Sequence, residues 1–137
     1  MVQANWSTTI GDIPVQTVGI AINLGVQASP VEHDTAATLA VSDLTGGLIV
    51  SNPAAAINLT LPTGAAMDAA IPTAGINSDF EFSIINLGVS ADIPTVVTNT
   101  GWTLVGTMAL PVATANGAGR FRARRTAPAT WTLYRIS

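Results

Sequence analysis

An all-β fold is what this sequence predicts: a jelly-roll-like β-sandwich of about 8–10 strands with one short helix. Three observations predict it. Short runs alternate apolar and polar side chains with the two-residue period of a half-buried strand. Glycine, proline, asparagine and threonine punctuate those runs. Only one stretch carries helix start and stop signals.

In chain order, Val15 to Asn23 sets Val18, Ile20 and Ile22 against Thr17, Gly19 and Ala21. A loop with the Ser29-Pro30 step follows from Gln27 to Asp34. Thr38 to Val41 and Leu48 to Ser51 flank Thr45-Gly46-Gly47, whose glycines accept positive φ, so the three predict a hairpin. Ile57 to Leu61 alternates and stops at Pro62. Thr63 then caps a helix from Gly64 to Ile71, ended by Pro72 and Gly75. The sharpest strand is Asp79 to Ile85, with Phe80, Phe82 and Ile84 on one face and Asp79, Glu81 and Ser83 on the other. Gly88 closes it. Thr95 to Thr98 and Trp102 to Val105 flank an Asn99-Thr100-Gly101 turn. Met108 to Val112 is expected at a sheet edge, because Pro111 cannot donate to a ladder. After the Asn116-Gly117-Ala118-Gly119 turn, Arg120 to Arg125 and Trp131 to Ile136 complete the set. Residues 1–30 read as an N-terminal arm or first strands, and residues 31–137 as the sandwich domain.

Composition narrows the function. Hydrophobic residues make up 48% of the 137 and charged ones only 9%, against about 25% charged in ordinary soluble domains. So few charges would leave a lone molecule with a large neutral surface, and assembly is the expected remedy. The longest apolar stretch, Ile13 to Val26, contains Pro14, Gln16 and Asn23 and is too short to span a bilayer. The N-terminal residues lack the pattern of a secretory leader, so the sequons at Asn5 and Asn58 read as chance matches. Without cysteine, neither disulfides nor thiolate metal sites contribute. An acidic chain with pI near 4.7 is a poor nucleic-acid binder. No cofactor, nucleic-acid partner or membrane partner is expected.

Charge is sharply segregated. All five cations, Arg120, Arg122, Arg124, Arg125 and Arg135, fall in the last 18 residues, and all eight acidic side chains lie between Asp12 and Asp92. In a strand, Arg120, Arg122 and Arg124 share one face at about 7 Å spacing, a ladder suited to bidentate carboxylate pairing. Arg120, Arg122, Arg124 and Arg125 are therefore the expected protein–protein interface, facing this chain's own front part, an identical neighbour or another partner. The inventory for catalysis is thin, and no enzymatic activity is expected. His33, the only histidine, sits between Glu32 and Asp34, whose side chains point away from it in an extended loop. Asp79 and Glu81 lie side by side, but a calcium site needs more oxygens and a glycosidase needs a cleft. Trp6, Trp102 and Trp131 suit core or interface anchoring.

The segment order from Ile57 onward, with Leu59-Thr60-Leu61-Pro62, the Ala-rich helix, Phe80-Glu81-Phe82-Ser83-Ile84-Ile85-Asn86, Gly101-Trp102 and Thr130-Trp131-Thr132-Leu133, resembles small β-sandwich proteins of tailed bacteriophages. Such modules occur as capsid decoration (cement) proteins and in tail-fibre parts. The resemblance covers roughly residues 45–137. It implies a non-enzymatic virion protein that is made in the host cytoplasm. Such a protein forms a homotrimer on the capsid surface and binds the major capsid protein. The alternative it implies is a tail-fibre or receptor-binding module that recognises a host glycan.

Overall fold

The computed structural model describes residues 24–137, in which the alternating runs become nine strands: β1 (Val31–Glu32), β2 (Ala37–Thr38), β3 (Leu48–Ser51), β4 (Ile57–Thr60), β5 (Asp79–Asn86), β6 (Pro94–Val97), β7 (Trp102–Val105), β8 (Ala118–Ala127) and β9 (Thr130–Arg135). Helices α1 (Val41–Thr45) and α2 (Gly64–Ala70) and a 3-10 turn at Ala113–Ala115 complete the elements. The strand expected from Val15 to Asn23, Trp6 and most of the expected arm lie outside the described residues. Residues 24–30 are exposed and carry no regular secondary structure.

The chain alternates between two sheets. β1, β3 and β5 run parallel in a six-stranded sheet of order β1-β3-β5-β8-β9-β7, and β2, β4 and β6 form a three-stranded sheet that is parallel throughout. Parallel neighbours cannot be joined by a tight turn, so each pass needs a return connection. Helix α1 lies on the return from β2 to β3, and α2 on the return from β4 to β5. Three successive turns thus stack, each adding one strand to each sheet, in the manner of a solenoid. β8 then pairs antiparallel with β5, β9 antiparallel with β8, and β7 parallel with β9.

The strand-rich, all-β class is as expected, whereas β1 falls in the segment expected as a loop from Gln27 to Asp34, and the strand order and the helix count also differ. A jelly roll is built from antiparallel strands, whereas the returns through α1 and α2 make these passes parallel. The Thr45-Gly46-Gly47 hairpin is also replaced, because β2 and β3 belong to different sheets. The chain between them folds into α1, where the Asp43 carboxylate accepts the Ala40 N–H at 2.9 Å and the Asp43 N–H donates to the Ala40 carbonyl at 3.1 Å. Those bonds satisfy groups that a helix start leaves open, and the turn they make buries both Leu39 and Leu44. Gly47, at φ +85°, then reverses the chain into β3. Helix α2 begins as expected, with the Thr63 hydroxyl accepting the Ala66 N–H at 3.1 Å. The Met108 to Val112 run makes a single antiparallel bridge, Ala109 to Thr95, before Pro111 ends it.

Both sheets contribute to one core: Leu59 and Val96 from the small sheet, and Ile49, Phe82, Ile84, Phe121 and Leu133 from the large one. An aromatic chain runs through it. Phe82 stacks on its cross-strand partner Phe121 with centroids 5.3 Å apart, and Trp131 contacts both Phe80 (6.2 Å) and Trp102 (6.0 Å). Such offset and edge-on geometries are the favourable ones for aromatic pairs.

At one end of this core three backbones nearly touch. A Cβ on Gly64, at the start of α2, or on Gly101, at φ +89°, would collide with the Ala129 carbonyl oxygen in the β8–β9 turn. The Gly64 N–H donates to the Thr100 carbonyl, and the Trp131 N–H to the Gly101 carbonyl, both at 2.8 Å. Only a residue without Cβ fits at this junction. Gly64→Ala is expected to lower stability by about 1–3 kcal/mol through overpacking against fixed backbone. Leu59→Ala, which empties a fully buried site, is expected to cost about 2–5 kcal/mol. Urea unfolding of both variants checks the two values.

Candidate functional site

Strand β8 distributes the arginines by parity. Phe121 and Ala123 face the core, and Arg120, Arg122 and Arg124 lie on the outer face of the large sheet. Across the ladder they oppose Ser83, Glu81 and Asp79 of β5 in that order. Glu81 is the shared acceptor: Arg122 donates to its carboxylate through Nε (3.0 Å) and Nη2, and Arg120 approaches at 3.5 Å. Hydrogen bonds from Arg122 hold the Glu81 carboxyl below its usual range, and Glu81 in turn raises the Arg122 guanidinium. Arg124 donates to the Asn77 amide oxygen at 2.6 Å and to the Tyr134 hydroxyl at 3.2 Å. The side chains of Arg120 and Arg122 remain 58% and 49% exposed.

Arg125 has a different position. It shares the parity of Phe121 and Ala123, so its side chain leaves the sheet on the core side, where it is only 16% exposed. There it meets Asp68 of α2. The Arg125 guanidinium donates through Nε to Oδ1 (2.9 Å) and through Nη2 to Oδ2, and reaches the Ala74 carbonyl with Nη1 at 3.0 Å. Asp68 also accepts the Ala129 N–H at 2.7 Å and the Trp131 indole N–H at 2.9 Å. One carboxylate therefore ties α2 to β8, to the β8–β9 turn and to β9. It also helps hold Ala129 at φ +53°, a conformation unusual for a residue with a Cβ. The Arg125 hydrogen bonds, followed by the one from Ala129, press the Asp68 carboxyl far below the ordinary carboxylate range.

Arg135 has neither of these arrangements. Its guanidinium donates to the carbonyls of Thr107, Ala109 and Ala118 at 3.1–3.3 Å and lies 5.4 Å from the Phe121 ring centroid. Desolvation in that setting lowers its pKa. It joins the Thr107–Ala109 segment to the start of β8.

His33 pairs with Asp43 of α1, with Nε2 and Oδ2 3.0 Å apart, and with neither Glu32 nor Asp34. The Asp34 carboxylate instead accepts the Asn52 N–H at 2.7 Å. Among the described residues no group of three or more His, Cys, Asp and Glu side chains converges as a metal site would require. Of the tryptophans, Trp102 and Trp131 lie in the core. No helix of the described residues is long and apolar enough to cross a membrane. A cleft of about 300 Å³ opens beside the N-terminal end of β5, and Asp79, Phe80 and Glu81 line it.

No protein-family model, curated protein or solved structure matches this chain.

The Asp68 cluster is the part of the site that sequence reasoning missed, although one signal was present. Alternation from Phe121 and Ala123 puts Arg125 on the core face, and a cation there requires a partner; Asp68 is the lone charge in an Ala-rich helix. Because the folded state depresses the Asp68 pKa, its contribution is present above the unfolded value, near 4, and is lost as pH falls below it. Asp68→Asn is therefore expected to unfold at a lower temperature than the parent at pH 7, with the gap narrowing as pH falls from about 5 towards 2. Thermal melts across that range check this; a gap that stays constant with pH would show that the carboxylate charge contributes nothing.

Proposed function

We propose that this protein is a non-enzymatic structural component of a tailed-bacteriophage virion. In this reading it binds the outside of the capsid as a homotrimer and stabilises the shell as a cement protein. The phage attribution rests on the resemblance of the segments from Ile57 onward. The observation that carries the assembly reading is the outer arginine row. Arg120 and Arg122 converge on one carboxylate and remain half exposed, so their guanidinium forks keep donors free for a carboxylate on a neighbour. Arginine suits that use, because its planar fork is weakly hydrated and matches carboxylate geometry. The neighbour is an identical subunit or the major capsid protein. A subunit that binds only the assembled shell shifts the equilibrium towards it. The two sheets serve as the layers of a sandwich, since their inner faces contribute to one core.

The tail-fibre or receptor-binding reading is kept because a cleft with an aromatic wall lies beside β5. Copy number separates the two: many copies per purified particle belong to a capsid cement, and a few to a tail.

Arg120 offers the cleanest test of the row, because among the described residues its side chain has only the 3.5 Å contact to Glu81. Arg120→Glu is expected to leave the melting temperature within a degree or two, as surface substitutions do. It should reduce the oligomer mass seen by light scattering, or abolish sedimentation with particles. Unchanged mass together with unchanged particle binding would remove the arginine row from the interface.

A further inference from the structure

We propose that the cleft beside β5 is a binding site for a small uncharged polyhydroxylated ligand, a single saccharide ring or a polyol of that size. This inference rests on the receptor-binding reading of the same cleft, whose ligand class it names, and is independent of the assembly reading. The cleft's volume, about 300 Å³, is at the lower end of the range for small-molecule sites. Its apolar wall is Ile71, Ala74 and the partly exposed Phe80, backed by the buried Trp131. Trp131 meets Phe80 at an interplanar angle of 66°, and its indole N–H is held by Asp68. The partly exposed Phe80 ring, packed edge-on against Trp131, supplies the apolar contact that the C–H face of a sugar would use.

The polar rim consists of Thr45, Thr73, Ser78, Asp79 and Glu81. The Thr45 hydroxyl donates to the Val41 carbonyl at 3.2 Å, which leaves its lone pairs able to accept. The Ser78 hydroxyl accepts the Gly75 N–H at 2.9 Å, which leaves its proton able to donate. The side chains of Thr73 and Asp79 make no hydrogen bond or ion pair with the described residues and are exposed. The rim therefore mixes donors and acceptors, and a hydroxyl can serve as either. A hydroxyl donating to the Asp79 carboxylate would form a charge-assisted bond, stronger than a neutral one.

One carboxylate sets the charge of the rim. Glu81 is already held by Arg122 and Arg120, which leaves Asp79 as the rim's acidic acceptor without an ion pair among the described residues. A neutral, hydroxyl-rich ligand with one apolar face suits such a rim, and a cationic control tests the competing class.

The experiment is an amide NMR titration of the full chain with methyl α-glucoside, methyl α-galactoside and N-acetylglucosamine, with benzylamine as the cationic control. At least one saccharide is expected to give saturable shifts at Thr73, Ser78, Asp79 and Phe80. The exposed-site variants Asp79→Asn and Thr73→Val should keep the parental melting temperature. Asp79→Asn should weaken binding about tenfold, as loss of a hydrogen bond to a charged group does. The proposal is overturned by any of three results: no saturable shift with any saccharide to roughly 50 mM, well past the weakest useful affinity; benzylamine saturating the cleft where saccharides do not; or parental affinity in both variants.

Discussion

The Asp68 carboxylate, on a helix of seven residues, is the constraint on which the C-terminal half of the fold depends. It accepts four hydrogen bonds from three donors: the Arg125 guanidinium, the Ala129 backbone and the Trp131 indole. Each would be costly to leave unmet. A guanidinium held on the core side of a sheet needs a counter-charge, an indole N–H at a buried tryptophan needs an acceptor, and a turn residue in the left-handed region needs holding there. With all three met at one point, the Ala129 carbonyl lies against Gly64 and Gly101, where only glycine fits. The order of dependence runs from charge pair to turn geometry to close packing. Replacing either glycine would disturb the same junction that removing Asp68 would release.

The segregation of charge along the chain follows from this arrangement and from strand parity. Within β8, alternation sends Arg120, Arg122 and Arg124 outward and Arg125 inward, and β9 sends Arg135 to a third location among backbone carbonyls. The acidic partners come from α2 and β5, earlier in the chain, because β8 is the strand that closes the three-turn stack against β5. Cations added late must therefore meet anions laid down early. Much of the arginine excess is met by this chain's own front part. The outward row keeps capacity beyond that, since two guanidinium groups share one carboxylate.

Structure is legible in this sequence where it depends on neighbours in the chain. The period of two fixed β5 and β8 and the facing of Phe82, Phe121 and Arg122. Thr63 marked the start of α2, and Pro111 marked a weak edge. What failed was anything set by connection across the fold. The pattern ends a strand at Val41 and sets a turn at Thr45-Gly46-Gly47, yet Ser42 and Asp43 between them are the kind of residues that open a helix, and Asp43 has its second partner in His33, ten residues upstream. Parallel stacking was not legible because a strand's alternation carries no direction. It emerges only when α1 and α2 are recognised as return connections. Asp68 stands out as the lone charge of its helix, but its partners are not legible locally, because they lie 57 to 63 residues further along the chain.

The outer face bears on why so few charges suffice. β5, β9 and β7 run in the same direction, so their C-terminal ends lie along one margin of the large sheet. Leu87 follows β5, Ile136 follows β9 and Val105 ends β7, and all three are 41–49% exposed, with Val89 at 52% nearby in the chain. Strand spacing spreads this margin over about 14 Å from β5 to β7. In the proposed oligomer a second copy would have such a margin to cover, and the arginine row would supply direction, since apolar contact alone does not set register whereas fork-to-carboxylate pairing does. Covering an apolar margin removes the surface that 9% charged residues would otherwise have to keep in water. Of the five arginines, three are engaged at Asp68 and Glu81, so the scarce cations are concentrated where the late strand β8 meets the earlier α2 and β5.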